Sequence, residues 1–187
     1  MAQIRSLKPN VTLQEAIHQF SRRGLLGYTR KVAYGPLRSI ADFYIPFRIF
    51  TVEVLNRGKC DLYTLGLDMA TGSLHPYAFE QLPASSELLS METRNCIPSS
   101  VAEVEARDLI IAKVRRILFS AGFFRIRNLR ISAQMVPGEI HIPYWAGFRG
   151  QGPRAHVAIM DAVRRRMEGG KVRHLLRNWL LDSPLHV

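Results

Sequence analysis

Apolar positions along the chain follow two periods, and the switch between them marks the elements. Leu13, Ala16, Ile17 and Phe20 recur at i, i+3, i+4 and i+7, which puts them on one face of a helix. Thr12-Leu13-Gln14-Glu15 in front of them has the form of a capping box, and Gly24 with Gly27 supplies the stop. The signature returns at Ser100-Val101-Ala102-Glu103, where Ile110, Val114, Ile117, Leu118 and Ala121 line one face and Gly122 ends the helix. A third helix over residues 171–181 carries Val172, Leu175, Leu176, Trp179 and Leu180, with Trp179 in the core. It is entered through Gly169-Gly170 and ends before Pro184.

Elsewhere the period drops to two, in sequence rich in Phe, Tyr, Ile and Val. The first half predicts strands over residues 28–34, 43–55 and 60–67, with a turn at Asn56-Arg57-Gly58-Lys59. The second half predicts strands over 124–135, 139–148 and 154–160, with turns at Val136-Pro137-Gly138 and over 149–153. Within 139–148, alternation places Ile140, Ile142, Tyr144, Ala146 and Phe148 on one face, meeting Ala155, Val157 and Ile159. The other face holds Glu139, His141, Pro143, Trp145 and Gly147, opposite His156 and Met160. Residues 83–100, rich in Ser and bounded by prolines, read as a linker with one helical turn around Leu88 and Leu89.

The order of parts repeats. Ile45-Pro46-Phe47 is answered by Ile142-Pro143-Tyr144, each hairpin has an Arg-Gly turn, and each ends on a hydrophobe-Asp step, Leu67-Asp68 and Met160-Asp161. The pattern predicts an α+β fold: a duplicated unit of one helix packed on antiparallel strands, plus a C-terminal helix. Residues 1–93 form the first repeat, and 94–187 the second with the last helix. Proline cannot donate to a ladder, so Pro46 and Pro143 are expected near the starts of their strands. The stretch LGLDMATGSL, residues 65–74, resembles the strand-Asp-x-x-Thr-Gly turn of PepSY-type modules. That resemblance covers about 20 residues and implies a helix against an antiparallel sheet with a non-catalytic binding role; the second copy departs from it, carrying Val163-Arg164 in place of Thr-Gly.

Charge narrows the function. The 187 residues carry a net charge of +11, a field that attracts nucleic acid, anionic lipid or an acidic protein. Residues 1–100 hold 11 Lys and Arg against 8 Asp and Glu, and residues 101–187 hold 15 against 7, so the second half generates most of the field. The N-terminus has no apolar leader and the longest stretch without Asp, Glu, Lys or Arg is 69–79, which leaves no transmembrane segment and predicts a cytoplasmic protein. The sequence leaves the oligomeric state open.

Signatures of catalysis are absent from the sequence. Cys60 and Cys96 form no CxxC, the histidines have no metal spacing, no serine sits in a GxSxG elbow, and no glycine-rich segment opens a helix in the manner of a phosphate loop. No cofactor and no metal are expected. Asp68 and Asp161 read as strand-end turn caps. The basic residues gather instead around the second hairpin. Arg127, with Arg125 and Arg130, punctuates the preceding strand, Arg149 and Arg154 flank the glycine-rich turn, and Arg164, Arg165 and Arg166 follow Asp161. With Trp145 off the main core face, these arginines make the expected binding surface: a non-catalytic protein whose Arg-rich face contacts an acidic protein partner. One alternative is a single-stranded nucleic-acid binder in which Trp145 or Tyr144 stacks on a base, although RNP1, KH and helix-turn-helix signatures are missing. The other is a small hydrolase with its site between the repeats.

Overall fold

Two strands of 20 residues, β2 (Leu37–Asn56) and β6 (Arg130–Arg149), form the spine of the molecule and pair antiparallel from Leu37↔Arg149 to Leu55↔Arg130. Ile45 lies opposite Ile142 near the middle of this ladder. The computed structural model describes residues 1–21, 35–122, 127–151 and 155–182. Among them are three α-helices and an eight-stranded sheet, with β1 (Ala2–Leu7), β3 (Lys59–Asp68), β4 (Tyr77–Phe79), β5 (Leu88–Thr93), β7 (His156–Asp161) and β8 (Arg166–Met167) flanking the spine. Strand order is β4-β3-β2-β6-β1-β5, with β7 also on β6 and β8 on β7. The fold is mixed α/β, with its helices packed on a large curled sheet.

Helix α1 (Leu13–Ser21) starts as its sequence dictates. The Thr12 N–H donates to Glu15 Oε2 at 2.8 Å, and the Glu15 N–H donates to Thr12 Oγ1 at 3.3 Å. Ala16 and Phe20 are buried, but Leu13 and Ile17 stay exposed, so only half of the expected stripe is used. Helix α2 (Glu103–Ala121) has Ala102 at its N-cap, with no side-chain cap. Ser100, expected to cap it, donates its hydroxyl to the Ala70 carbonyl and ties the chain to the end of β3. Helix α3 (Gly170–Asp182) buries Val172, Leu175 and Leu176, with Trp179 half-buried beside them and Leu180 exposed.

Alternation along β2 assigns the layers. Phe43, Ile45, Phe47 and Ile49 share a cluster with Ile140, Ile142, Tyr144, Ala146, Ile159 and α3. This is the face expected for the second hairpin. Phe50, Val52 and Val54 point the other way and meet Ala106, Ile110 and Val114 of α2, together with Leu65 and Leu67 of β3. A third cluster joins Ala16 and Phe20 of α1 to Ala158 and Met160 of β7, with Leu37, Ile40 and Trp145 against it. Thus α2 packs on β2, β3 and the first part of β6, while α1 packs on β6, β7 and the start of β2.

The prolines lie in mid-strand rather than near strand starts, and the sheet explains why. On the side of β2 away from β6, Tyr44 bonds to the segment around Cys96, donating to the Asn95 carbonyl and accepting from the Ile97 N–H. From Phe47 onward that side belongs to β3, which begins pairing at Asp68. Pro46 sits at the gap between the two neighbours, where an N–H would have no acceptor, and its carbonyl accepts the Met69 N–H at 2.8 Å. On β6 the same change occurs: His141 is opposite Ser6 of β1, Tyr144 is opposite Asp161 of β7, and the Pro143 carbonyl between them accepts the Ala162 N–H at 3.0 Å.

Three other expectations change. Val136-Pro137-Gly138 is not a hairpin turn; β6 runs through it, with a register irregularity opposite β2, and Gly138 takes a φ of +95°. Residues 83–100 are not a free linker, because Leu88–Thr93 forms β5 and pairs along β1 from Ala2↔Thr93 to Leu7↔Leu88. The single turn of helix there is a 3-10 turn at Ser85–Glu87. The strand expected over 28–34, residues 124–126 of another, and the stops at Gly24 and Gly27 lie outside the described residues. The first hairpin turn holds as expected, with Arg57 and Gly58 at φ of 55° and 77°, both in the left-handed region of a tight two-residue connection.

Candidate functional site

The residue after each mid-strand proline is aromatic, and both aromatics face the α3 side of the sheet. Phe47 and Tyr144 form part of the wall of a cleft of about 330 Å³. The remaining wall comes from the chain just beyond each strand-end aspartate. Leu74, His75, Pro76 and Tyr77 follow Asp68; Arg164, Arg166, Glu168, Gly169, Gly170, Lys171 and Val172 follow Asp161 and run into α3. Two register-matched motifs therefore supply its aromatic wall, and two strand-end turns supply its rim. Phe47 meets Tyr77 edge-on at 5.8 Å between ring centroids, and Tyr144 stacks on Phe43 at 5.4 Å.

The two aspartates are held differently. Both carboxylate oxygens of Asp68 are used: Oδ1 accepts the N–H groups of Thr71 (2.8 Å) and Gly72 (3.1 Å), and Oδ2 accepts that of Leu74 (2.8 Å). Asp161, fully buried, uses Oδ1 for the N–H groups of Val163 and Arg164, each at 2.8 Å, while its buried Oδ2 has no hydrogen-bond partner of good geometry. The buried hydroxyl of Tyr77 lies next to this carboxylate, within hydrogen-bonding reach though not in ideal geometry. Burial raises the Tyr77 pKa most, Asp161 raises it further, and Arg164 offsets part of the effect. Burial likewise raises the Glu168 carboxyl above its ordinary value, with Asp161 adding to the shift and Arg166 and Arg164 opposing it.

Cations collect at this rim. The Arg164 guanidinium lies over the Tyr77 ring, 3.2 Å from its centroid, and donates to the Ala78 carbonyl at 2.8 Å, which leaves other N–H groups of its fork unused by that bond. Lys171 Nζ donates to the Ser73 carbonyl at 3.2 Å. Arg166 is exposed at the same cleft. Behind it, Lys113 Nζ donates to the Leu74 carbonyl at 2.7 Å and fixes the segment that carries His75 and Tyr77. Among the described residues no group of three or more His, Cys, Asp or Glu is placed to hold a metal ion.

Of the residues expected to bind, Arg164 and Arg166 come together here. Arg165, between them in sequence, turns to the α1 side at a φ of 56°, where it donates to the Asn10 carbonyl at 2.6 Å and pairs with Glu15 at 3.5 Å. Arg149 is 7% exposed and donates to the carbonyls of Gly35 and Phe20, closing the end of α1. Trp145 is half-buried under α1, with its indole N–H donating to the Val11 carbonyl at 2.9 Å. Arg127 is exposed, but its N–H bonds to Asn56 Oδ1, at the far end of β2 and roughly 30 Å of strand from Phe47. Arg154 lies outside the described residues.

Lys171, Glu168, His75 and Tyr77 carry no sequence signature of a binding site, and Gly169-Gly170 mark only the entry of a helix. The available signal was Glu168-Gly169-Gly170-Lys171, a glycine pair and a cation at the start of a helix. Among the described residues no helix is long and apolar enough to cross a membrane. Comparison with protein-family models, curated proteins and solved structures finds no match.

Proposed function

We propose that the protein is a non-catalytic binding protein whose cleft between Phe47, Tyr144 and the entrance of α3 takes an oxyanion from an acidic protein partner. The observation that carries this reading is the arrival of Arg164, Arg166 and Lys171 at one cleft whose acidic lining, among the described residues, is Glu168. Arginine forks and a helix N-terminus both favour an oxyanion there, and two arginines beside Glu168 disfavour a metal cation. The +8 excess of residues 101–187 steers an acidic partner toward this side of the chain. The test is binding to polyglutamate at two salt concentrations. Changing Arg164, Arg166 and Lys171 together to Ser is expected to weaken binding and flatten its salt dependence, while changing Arg127 and Arg165 to Ser leaves the cleft's share intact. Equal losses in the two variants would place the interaction on the general surface charge.

One observation favours a second reading, a small hydrolase with its site at this junction: buried Asp161 and the Tyr77 hydroxyl adjoin each other beside Glu168, whose carboxyl is held above its ordinary pKa. Turnover of ester or phosphoester substrates that vanishes in Asp161→Asn would favour it over the binding reading.

We also infer that the chain is a duplicated unit. Support comes from the paired positions Ile45↔Ile142, from Asp68 opposite Phe47 and Asp161 opposite Tyr144, and from the bonds Met69 to Pro46 and Ala162 to Pro143. Val11, Ala16 and Phe20 on one side, and Val101, Ala106 and Ile110 on the other, enter their clusters at the same spacing. Because β2 of the first half pairs along most of β6 of the second and α1 packs on β7, residues 1–93 and 94–187 expressed separately should each be unfolded and should recover the fold when mixed. Independent folding of either half would count against this arrangement.

A further inference from the structure

We propose that the oxyanion taken by this cleft is a phosphate monoester, presented by a phosphorylated side chain of the partner. The inference rests on the reading of the cleft as an anion site and names its ligand. Donor number carries it. A carboxylate offers two oxygens and one negative charge, whereas a phosphate monoester offers three terminal oxygens and a charge of about −1.5 to −2 at neutral pH. The cleft is lined by three cationic side chains, Arg164, Arg166 and Lys171, against Glu168. With the Asp161 carboxylate acting on Glu168 and Tyr77 the surplus positive charge is small, so the choice rests on donors: two arginine forks and an ammonium group offer more N–H groups than the two oxygens of a carboxylate can accept.

The backbone adds to the match. The first N–H groups of α3 have no acceptor within the helix, and that end of the helix lies on the cleft. Gly169 and Gly170 lead into it, and a Cβ on either would have nothing within 4 Å, so a tetrahedral group has room to approach the main chain. Independently of the helix, Tyr77 lines the same cleft and is 5% exposed, with its buried hydroxyl next to the Asp161 carboxylate. Arg164, stacked on the Tyr77 ring, holds a planar fork of the kind that pairs with phosphate.

Isothermal titration of the full chain with Gly-phosphoSer-Gly, Gly-Glu-Gly and inorganic phosphate tests the inference, with polyglutamate as the sequence-independent anion. The phosphorylated tripeptide is expected to bind at least about tenfold more tightly than the glutamate tripeptide, the equivalent of one charge-assisted hydrogen bond. It is also expected to lose at least about tenfold in an Arg166→Gln, Lys171→Gln variant whose melting midpoint is unchanged. Inorganic phosphate should compete with it. Equal binding of the two tripeptides, both lost in the variant, overturns the phosphate assignment and leaves the anion cleft standing. Tighter binding of inorganic phosphate than of the phosphorylated tripeptide overturns the side-chain source. Absence of binding by all four probes, or binding unchanged in the variant, overturns the anion cleft itself.

Discussion

Replacing each strand-end aspartate by asparagine should give opposite results at two positions that look alike in sequence. In Asp68→Asn the retained Oδ1 can still accept the Thr71 and Gly72 N–H groups, but the new NH2 takes the place of Oδ2 and faces the Leu74 N–H, donor against donor. One buried N–H loses its acceptor and the bonds to Oδ1, including that from the Thr71 hydroxyl, lose their charge assistance, which together cost about 2–3 kcal/mol. For a chain of this length that lowers the melting midpoint by roughly 4–12 °C. In Asp161→Asn the Oδ1 bonds to Val163 and Arg164 remain, and the NH2 takes the place of Oδ2 next to the Tyr77 hydroxyl, whose oxygen can accept from it. A donor there gains an acceptor, and a buried carboxylate becomes neutral. Loss of charge assistance and of attraction to Arg164 offsets that gain, so the net change is within about 1 kcal/mol. Urea and thermal unfolding of both variants, followed by circular dichroism, measures the contrast. Equal destabilisation of the two, or a neutral Asp68→Asn, would refute the reasoning.

Other expectations follow from the same packing. Tyr144→Ala removes a buried ring stacked on Phe43 and should cost about 3–4 kcal/mol in urea unfolding. Gly147→Ala places a Cβ 2.9 Å from the Phe20 ring, so α1 must shift; a cost of about 1–3 kcal/mol and earlier proteolytic cleavage near α1 are expected. Burial lowers the His141 pKa below its ordinary value, against the opposing pull of Glu139 and the Arg5 carbonyl. The unfolded chain therefore takes up that proton first, and the histidine's contribution to stability is constant above about pH 6.5 and falls as the pH drops below it. His141→Gln should flatten the decline in urea midpoint between pH 7 and pH 5 relative to the parent.

What was legible in the sequence was what local physics fixes. The Thr12 capping box, the Asn56–Lys59 turn and the apolar alternation around Tyr144 and Ile159 each depend on a few neighbouring residues, and each appears in the fold. Pairing at a distance was not legible. β1 is a six-residue strand whose partner, β5, lies more than 80 residues away, so its sequence carries no signal of the sheet it joins. Pro46 and Pro143 were taken for strand starts because nothing local reveals that a strand changes neighbours at mid-length. The charge pattern pointed to the arginines near Asp161, but only the backbone directs Arg164 and Arg166 to one cleft and Arg165 to the other side. Arg149 and Trp145 bear the residue types of a binding surface and serve instead to hold α1, through bonds to Phe20 and Val11 that sequence spacing does not show.

The most direct test of the anion cleft is the response of backbone amide signals to a titrated oxyanion. In two-dimensional ¹H–¹⁵N spectra of the parent protein, inorganic phosphate or polyglutamate should move the amides of Gly169, Gly170, Lys171 and Val172, together with that of Tyr77, in one saturable process that Arg166→Gln weakens. Shifts confined to the regions of Arg127, Arg149 and Arg165, with the entrance of α3 unmoved, would contradict the account.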